Sequence, residues 1–457
     1  MRNDIMIPKK TWDLAKEFFQ AYPKETKFIR KITYPYDRND PSVLFFLTKG
    51  LVTEIQLQAS KSTITILESS FIKTQNGDIF ALKPGECLGQ GAFGKVKIAQ
   101  NNADEVVAIK IEGVPKDAGR KKRKEKTQKV EQKILTQLGR FKGEAIRTFG
   151  QPKSFSNKPT LFCAKRYLAQ TLIQGKELFK DIEWAIGSNS IALIPKPLRI
   201  KTALEASKAI KKLHDNNIIH GDIKPENFMI NVENNRISVE VIDFGLSSIL
   251  KPGQTSVIRV GGTPEYIAPE VVTFKKNTLR EFVLTASGGP IIESSDGNQS
   301  FASDIYSLGM VIGKDLEVNC DLVTDMLDDD PANRPDINTV IKTLKFELLD
   351  SEMCLLLQQK PNLSSSAFYD KLRQFIDEHL DLLTQNNNAE RLAIKHASDL
   401  PSFRFKDVIA CKVARQKLPT AWSTRKIITP LQIGCSQVAA NVIGSPPLCP
   451  KVRVGCN

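Results

Sequence analysis

An α+β fold, with strands first and helices after them, is predicted by three features of this sequence. Between about Ala81 and Arg166 the apolar residues alternate in short runs such as KVKIA (95–99) and VVAIK (106–110), the period of half-buried strands. From there to about Asp350 the pattern is mostly helical. The chain has 457 residues, of which 41% are hydrophobic and 25% charged, so it is long enough for two or three folded units with ample cores.

The flanks read as separate segments. In residues 1–80, an α/β extension, Thr11 is placed to cap a short helix carrying Trp12, Leu14, Ala15, Phe18 and Phe19. The runs VLFFL (43–47), LVTEIQLQ (51–58) and STITILE (62–68) read as strands, with a turn at Lys49-Gly50. Residues 351–400 form a helical segment. There Ser364–Ser366 offer caps to a helix with Phe368, Leu372, Phe375, Ile376 and Leu383 on one side, and His379 falls at its surface or core edge. Residues 401–457 are a basic tail with nine Lys and Arg against one acid, and with four of the eight cysteines.

Composition excludes several classes. The opening MRNDIMIPKKTWDL has no apolar core after its charges, so no secretory signal is expected. The longest uncharged stretch, Ile427–Pro450, is broken by Pro430, Gly434, Pro446 and Pro447, so no transmembrane segment is expected either. Eight cysteines without a Cys-x-x-Cys pair and only four histidines make neither a disulfide scaffold nor a zinc module, and a reducing cytoplasm is the expected compartment. The 65 Lys and Arg exceed the 51 Asp and Glu by fourteen, which invites a nucleic-acid reading. That excess is local: residues 116–133 hold nine basic and three acidic residues, the tail supplies the remaining +8, and the rest of the chain is neutral. The tail lacks the interleaved aromatic residues of a single-strand binder, so nucleic acid is not an expected partner.

The chemical signals are spaced in order. Gly89-x-Gly91-x-x-Gly94-x-Val96 is a loop whose backbone can approach phosphates, and a strand follows it where a dinucleotide site needs a helix. Lys110 follows Gly89 by 21 residues, the length of a hairpin that returns it beneath the loop. Such a cation needs an orienting carboxylate. Glu131, on a helix with Val130, Ile134, Leu135 and Leu138, is the candidate, and Glu125 is its rival. In IIHGDIKPENFMI (218–230), Asp222 is suited to accept a hydroxyl proton, Asn227 to bind a hard cation, and Lys224 to place charge beside a phosphoryl group. Asp243 ends the apolar strand of VIDFG, a position for a metal ligand, and GGTPEYIAPE (261–270) follows.

In this order the motifs resemble the eukaryotic-type (Hanks-type) Ser/Thr protein kinase family across about 81–350. The resemblance implies a bilobal fold, a β-rich N-lobe at 81–166 and a helical C-lobe at 167–350, with ATP and Mg²⁺ as cofactors and a protein bearing Ser or Thr as substrate. It implies that Gly89, Gly91 and Gly94 cover the phosphates and that Lys110 binds them, paired with Glu131. Asp222 is then the catalytic base, Lys224 neutralises the γ-phosphoryl group, and Asn227 and Asp243 hold the metal. Leu88, Val96, Ala108 and Met229 fall at nucleotide-binding positions. Leu135, His220 and Phe244 match residues stacked between the lobes. Asp304 matches the anchor of the catalytic loop, and Glu270 with Arg334 a buried ion pair. The hinge is expected near Cys163–Leu168.

The sequence also departs from the family. Gly221 stands where many members have Arg, which implies activity without activation-loop phosphorylation, although Thr255 and Ser256 are available to it. The same H-G-D occurs in small-molecule phosphotransferases of the aminoglycoside and choline kinase type, one alternative reading. A pseudokinase scaffold is another. Residues 286–300 read as an inserted loop, and Asp304 to Arg334 is short for the usual helices. The run RKKRKEK (120–126) reads as the solvated start of the helix bearing Glu131, or as a patch for an acidic or phosphorylated substrate. A soluble kinase with such flanks also resembles bacterial effectors translocated into a host cell cytosol, where the partner is a host signalling protein.

Overall fold

The computed structural model describes residues 7–399, apart from positions 29–30, 60–62, 66–68, 84–86, 92–93, 149–161, 179, 181–193, 235, 259–260, 272–282, 285–289 and 292–297, together with Val408. The expected extra structure of 286–300 and the tail therefore lie mostly outside the described residues.

The N-terminal segment is more helical than its composition suggests. It comprises helix α1 (Lys9–Ala21), strands β1 (Lys27–Phe28) and β2 (Lys31–Thr33), helices α2 (Pro41–Thr48) and α3 (Glu54–Ala59), and strand β3 (Thr63–Thr65). Helix α1 begins after Pro8 rather than at Thr11, with no side-chain cap. VLFFL lies in α2, not in a strand. The Asp40 carboxylate accepts the Ser42 N–H at 2.8 Å and Pro41 takes the first helical position, two local terms that outweigh the β-propensity of Val43, Phe45 and Phe46. LVTEIQLQ likewise enters α3, where the Thr53 hydroxyl accepts the Gln56 N–H at 3.1 Å. Only STITILE keeps a strand, β3.

Next come strands β4 (Ser70–Lys73), β5 (Ile79–Leu82), β6 (Gly89–Gly91), β7 (Gly94–Asn101) and β8 (Val106–Pro115). Helix α4 (Ala118–Gln137) and strands β9 (Phe141–Thr148) and β10 (Phe162–Thr171) complete the lobe. One antiparallel sheet runs β1-β4-β5-β7-β8-β10-β9, with β6 paired to β7. The boundary expected at 80/81 falls inside β5, and that expected at 166/167 falls inside β10. The sheet rolls over, and the turn between β4 and β5 reaches its far edge, where the Gln75 N–H donates to the Glu144 carbonyl of β9 at 2.8 Å.

An aromatic core joins the N-terminal segment to that sheet. Phe18 stacks on Phe28 at 4.5 Å between ring centres, Phe28 stacks on Phe46 at 5.1 Å, and Trp12 meets Phe71 edge-on at 5.1 Å. Phe18, Phe28, Phe46 and Phe71 are fully buried. Each ring removes a large apolar area from water, and the offset and edge geometries add to that burial.

The C-lobe is built on helix α5 (Lys196–His214), which packs against α8 (Ile337–Gln359) through a core including Ile200, Ile210, Leu213, Val340 and Leu344. Between them lie α6 (Phe301–Met310) and the short α7 (Asp321–Met326). The Ser300 hydroxyl and Ser303 form a reciprocal cap at the start of α6. Helices α9 (Ser365–Glu378), α10 (Leu380–Leu383) and α11 (Asn388–Lys395) pack on the far end of α8 around Phe346, Met353, Leu372 and Ile376. Ser364 caps α9, and His379, at its C-terminal end, pairs with Glu352. Among the described residues no helix is long and apolar enough to cross a membrane.

If the Phe cluster secures the N-terminal segment to the sheet, Phe28→Ala will cost about 3–5 kcal/mol in urea-induced unfolding. The whole N-lobe will lose stability, not residues 1–65 alone.

Candidate active site

The hairpin β6–β7 forms the roof of the site. Gly91 pairs with Gly94 and Gly89 with Val96, so the glycines sit at a tight reversal. Gly94 has φ +138°, and a Cβ there would lie 2.3 Å from the Ile111 carbonyl oxygen, so only glycine lets β7 cross β8 this closely. Leu88 at the hairpin base is 39% exposed, Ala108 is buried, and Val96 and Met229 are half-buried. Met229 lies on the strand Phe228–Glu233, which pairs with Lys176–Glu177 beyond β10.

Lys110 lies on β8, with Val96 of β7 on one side and Leu168 of β10 on the other. Its Nζ is 2.7 Å from Glu131 of α4, 2.8 Å from Asp243 and 4.0 Å from Glu112. Glu131 is thus the orienting carboxylate, and its rival Glu125 is exposed on the outer face of α4. Burial disfavours the Lys110 charge, but the carboxylates of Asp243, Glu131 and Glu112 outweigh it and hold the ammonium above its ordinary pKa. Burial likewise opposes the Asp243 carboxylate, and Lys110 pulls its pKa below the ordinary value. Asp243 has φ +62°, a conformation rare outside glycine, so its carboxylate is aimed by a backbone that the surroundings must enforce.

The loop 220–227 supplies the rest. Thr263 Oγ1 donates to Asp222 Oδ1 at 2.8 Å and accepts from Lys224 Nζ at 2.8 Å, and Lys224 Nζ is 3.2 Å from Asp222 Oδ2. Asn227 Nδ2 donates to the Asp222 carbonyl at 2.7 Å, which commits its amide nitrogen and leaves the amide oxygen as the ligand atom. The Asn227 carbonyl accepts the Ile242 N–H at 2.9 Å, tying the loop to the residue before Asp243. Two oxygen donors, Asn227 and Asp243, suit a hard divalent cation. The arrangement gathers the Asp222 carboxylate, the Lys224 ammonium and the Asn227 amide on one loop, and the Asp243 carboxylate meets Lys110 of β8.

Residues 82–346 match the family model for the protein kinase domain. The chain belongs to the protein kinase family. It is 25% identical over 331 residues to a probable serine/threonine-protein kinase, kinX, of Dictyostelium discoideum, covering 69% of this chain and 27% of that protein. It is 34% identical over 190 residues to myosin light chain kinase A of the same organism (41% and 57% covered). It is 25% identical over 279 residues to CBL-interacting serine/threonine-protein kinase 7 of Arabidopsis thaliana (58% and 59% covered). The chain thus spans from about a quarter to three fifths of the length of these curated relatives.

The kinase fold explains the supports behind these side chains. Asp304, buried at the start of α6, accepts the His220 N–H at 2.8 Å and the Gly221 N–H at 2.9 Å, and meets His214 Nε2 at 3.1 Å. His220 packs edge-on against Phe244 at 5.8 Å, and Leu135 and Phe244 share the C-lobe core. Arg334 grips Glu270 with two nitrogens at 2.7 and 2.8 Å.

One expectation needs correction and two residues went unnoticed. Cys163–Leu168 is not the hinge: it lies within β10, which continues to Thr171. Of the two adjacent cations Lys165 and Arg166, only Lys165 is exposed, and Arg166 is fully buried among carboxylates. Its signal was the strand alternation combined with Glu112 and Glu144 on the flanking strands. The second is Gln299, buried near Gly221, in a turn-rich stretch that carries no pattern of its own.

Replacing Asp304 with Ala leaves the buried His220 N–H and the half-buried Gly221 N–H without their acceptor. The expected cost is about 2–4 kcal/mol, and hydrogen exchange at the His220 and Gly221 amides will accelerate well before exchange in β8.

Proposed function

We propose that this kinase transfers the γ-phosphoryl group of ATP to Ser and Thr hydroxyls of proteins, with Mg²⁺ held by Asn227 and Asp243. The clamp of Thr263 on both Asp222 and Lys224 carries the reading, because it fixes a base and a cation side by side. Asp222 orients the acceptor hydroxyl and takes its proton. Lys224 offsets the negative charge that develops beside it. Lys110, steadied by Glu131, holds the phosphates under the glycine hairpin. Bound Mg²⁺ neutralises phosphate charge, and the residues contribute mainly by positioning.

A protein acceptor is supported by the segment 261–270. Thr263 ties its start to Asp222 and Glu270 ties its end to Arg334, leaving a fixed platform beside the base. The serine/threonine kinases among the relatives point the same way.

Activity without an activation-loop phosphate is supported by what surrounds Gly221. Its φ is +74°, and a Cβ there would lie 2.9 Å from Gln299 Oε1, so the space of an arginine side chain is taken. The strand Ser256–Ile258 pairs with Asn298–Ser300, and Gln299 Nε2 donates to the Gly261 carbonyl at 3.3 Å. The segment is thereby tethered by backbone pairing and an amide in place of a phosphate.

Purified protein with Mg-ATP and a degenerate peptide library tests the reading. Transfer to Ser and Thr peptides is expected, with Asp222→Ala lowering it by about 10²–10⁴-fold and Lys110→Met abolishing it. Transfer only to small alcohols would overturn the protein-substrate assignment. Phosphatase treatment is expected to leave the rate unchanged, whereas Gln299→Ala lowers it about 5–10-fold by loosening the segment. A rate that collapses on dephosphorylation would refute the tether.

A further inference from the structure

The Lys110–Glu131 pair sits in a larger buried cluster that phosphoryl transfer alone does not explain. Arg166 of β10 is 1% exposed. Its Nη1 lies 2.9 Å from Glu131 Oε2 and 3.2 Å from Glu112 Oε2. Its Nη2 lies 2.9 Å from Glu144 Oε2 and 3.3 Å from the Gln128 carbonyl oxygen. Gln128 Nε2 in turn donates to Glu112 Oε2 at 2.9 Å. The two oxygens of Glu131 are therefore divided, Oε1 to Lys110 and Oε2 to Arg166.

Charge makes the arrangement necessary. Glu112 and Glu131 are buried and Glu144 nearly so. Beyond Arg166, the cations that meet them among the described residues include Lys110 at the centre and Lys124 of α4, which is 4.0 Å from Glu112 Oε1. Without the guanidinium, Lys110 would face Glu112 and Glu131 as well as Asp243, with Glu112 already 4.0 Å away. Buried carboxylates stripped of a partner attract the nearest cation strongly, because little water screens them. A planar guanidinium is suited to the task, since its fork reaches three carboxylates and a carbonyl at once, which an ammonium cannot.

We infer that Arg166 is a positioning residue of the kinase site: by neutralising Glu112 and Glu144 and fixing Glu131, it reserves the charge of Lys110 for the nucleotide phosphates. Its contacts also span three elements besides its own. They reach Gln128 and Glu131 on α4, Glu112 on β8 and Glu144 on β9. The helix is thus fastened to the sheet from inside the lobe. The inference rests on the kinase reading above for the role of Lys110.

The test compares wild type with Arg166→Gln, Arg166→Lys and the double variant Arg166→Gln/Glu112→Gln, after thermal unfolding has established that each is folded. Steady-state kinetics with Mg-ATP and a Ser/Thr peptide give both KM values. Calorimetric titration with Mg-ATP gives a Kd that needs no phosphoryl transfer. Arg166→Gln is expected to raise KM and Kd for Mg-ATP about tenfold and to leave KM for the peptide unchanged. Arg166→Lys, which keeps one charge, shows a smaller rise. Removing the surplus carboxylate in the double variant brings both constants back toward wild type.

A merely structural role lowers the active fraction and hence kcat, with both KM values unmoved and no rescue by Glu112→Gln; that pattern would overturn the inference. If Arg166→Gln does not fold, Arg166→Lys and the double variant decide the matter. A wild-type Kd for Mg-ATP in Arg166→Lys, or a Kd in the double variant raised above that of Arg166→Lys, would sink it. Failure of the kinase reading is separable, because wild-type protein would then transfer nothing to peptides while the order of the Kd values still reports on Arg166.

Discussion

A lysine ammonium under a β-sheet survives there only if carboxylates compensate for the water it has lost, and this protein is arranged around that constraint. Lys110 is reached by Asp243 from the C-lobe, by Glu131 from α4 and by Glu112 from its own strand. Glu131 and Glu112 then need donors of their own, which brings in Arg166 and Gln128, and Arg166 is shared with a further carboxylate, Glu144. The position of α4 against the sheet follows from these pairings, because the helix contributes Glu131 and Gln128 to the cluster. The apolar contacts of Ile134 and Leu135 then bury its inner face in the main core.

The lower half of the site obeys a different economy of contacts. Its loop has few apolar side chains to pack, so hydrogen bonds hold it: Asp304 on the backbone of 220–221, Asn227 on Asp222, Thr263 on Asp222 and Lys224. These groups lie on segments distant in the chain, and they meet because α5, α6 and α8 share one core. The acid–base geometry is therefore a product of C-lobe packing, just as the cation geometry is a product of N-lobe packing.

The sequence made much of this legible, and physical reasons mark where it did not. The order of motifs singled out Lys110, Glu131, Asp222, Lys224, Asn227 and Asp243, and the fold sets Lys110 on Glu131 and Asp243, and Asp222 beside Lys224 and Asn227. Helix α2 was misread because VLFFL has strand composition, while the cap at Asp40 and the Pro at 41 decide a helix locally. Arg166 was hidden because a charge beside a charge normally means solvent, and only the register of β8, β9 and β10 shows the carboxylates around it. Gln299 was beyond reach for a similar reason: its partners near Gly221 and Gly261 lie far away in sequence.

The rolled sheet has a consequence for how the chain keeps to itself. A strand at the margin of a sheet offers unpaired backbone groups to any neighbouring chain, a common route to aggregation. Here the margin at β9 is met by the β4–β5 turn through Gln75, and the opposite margin ends in the two-residue β1. Strands β1 and β4 with the β4–β5 turn thus work as a seam that joins the two rims of the N-lobe. A chain begun at residue 81, inside β5, would lose that seam, leave both rims open to foreign strands and expose the apolar side that faces Phe71 and Phe28. Residues that carry no catalytic chemistry would on this account set the solubility of the fragment that does.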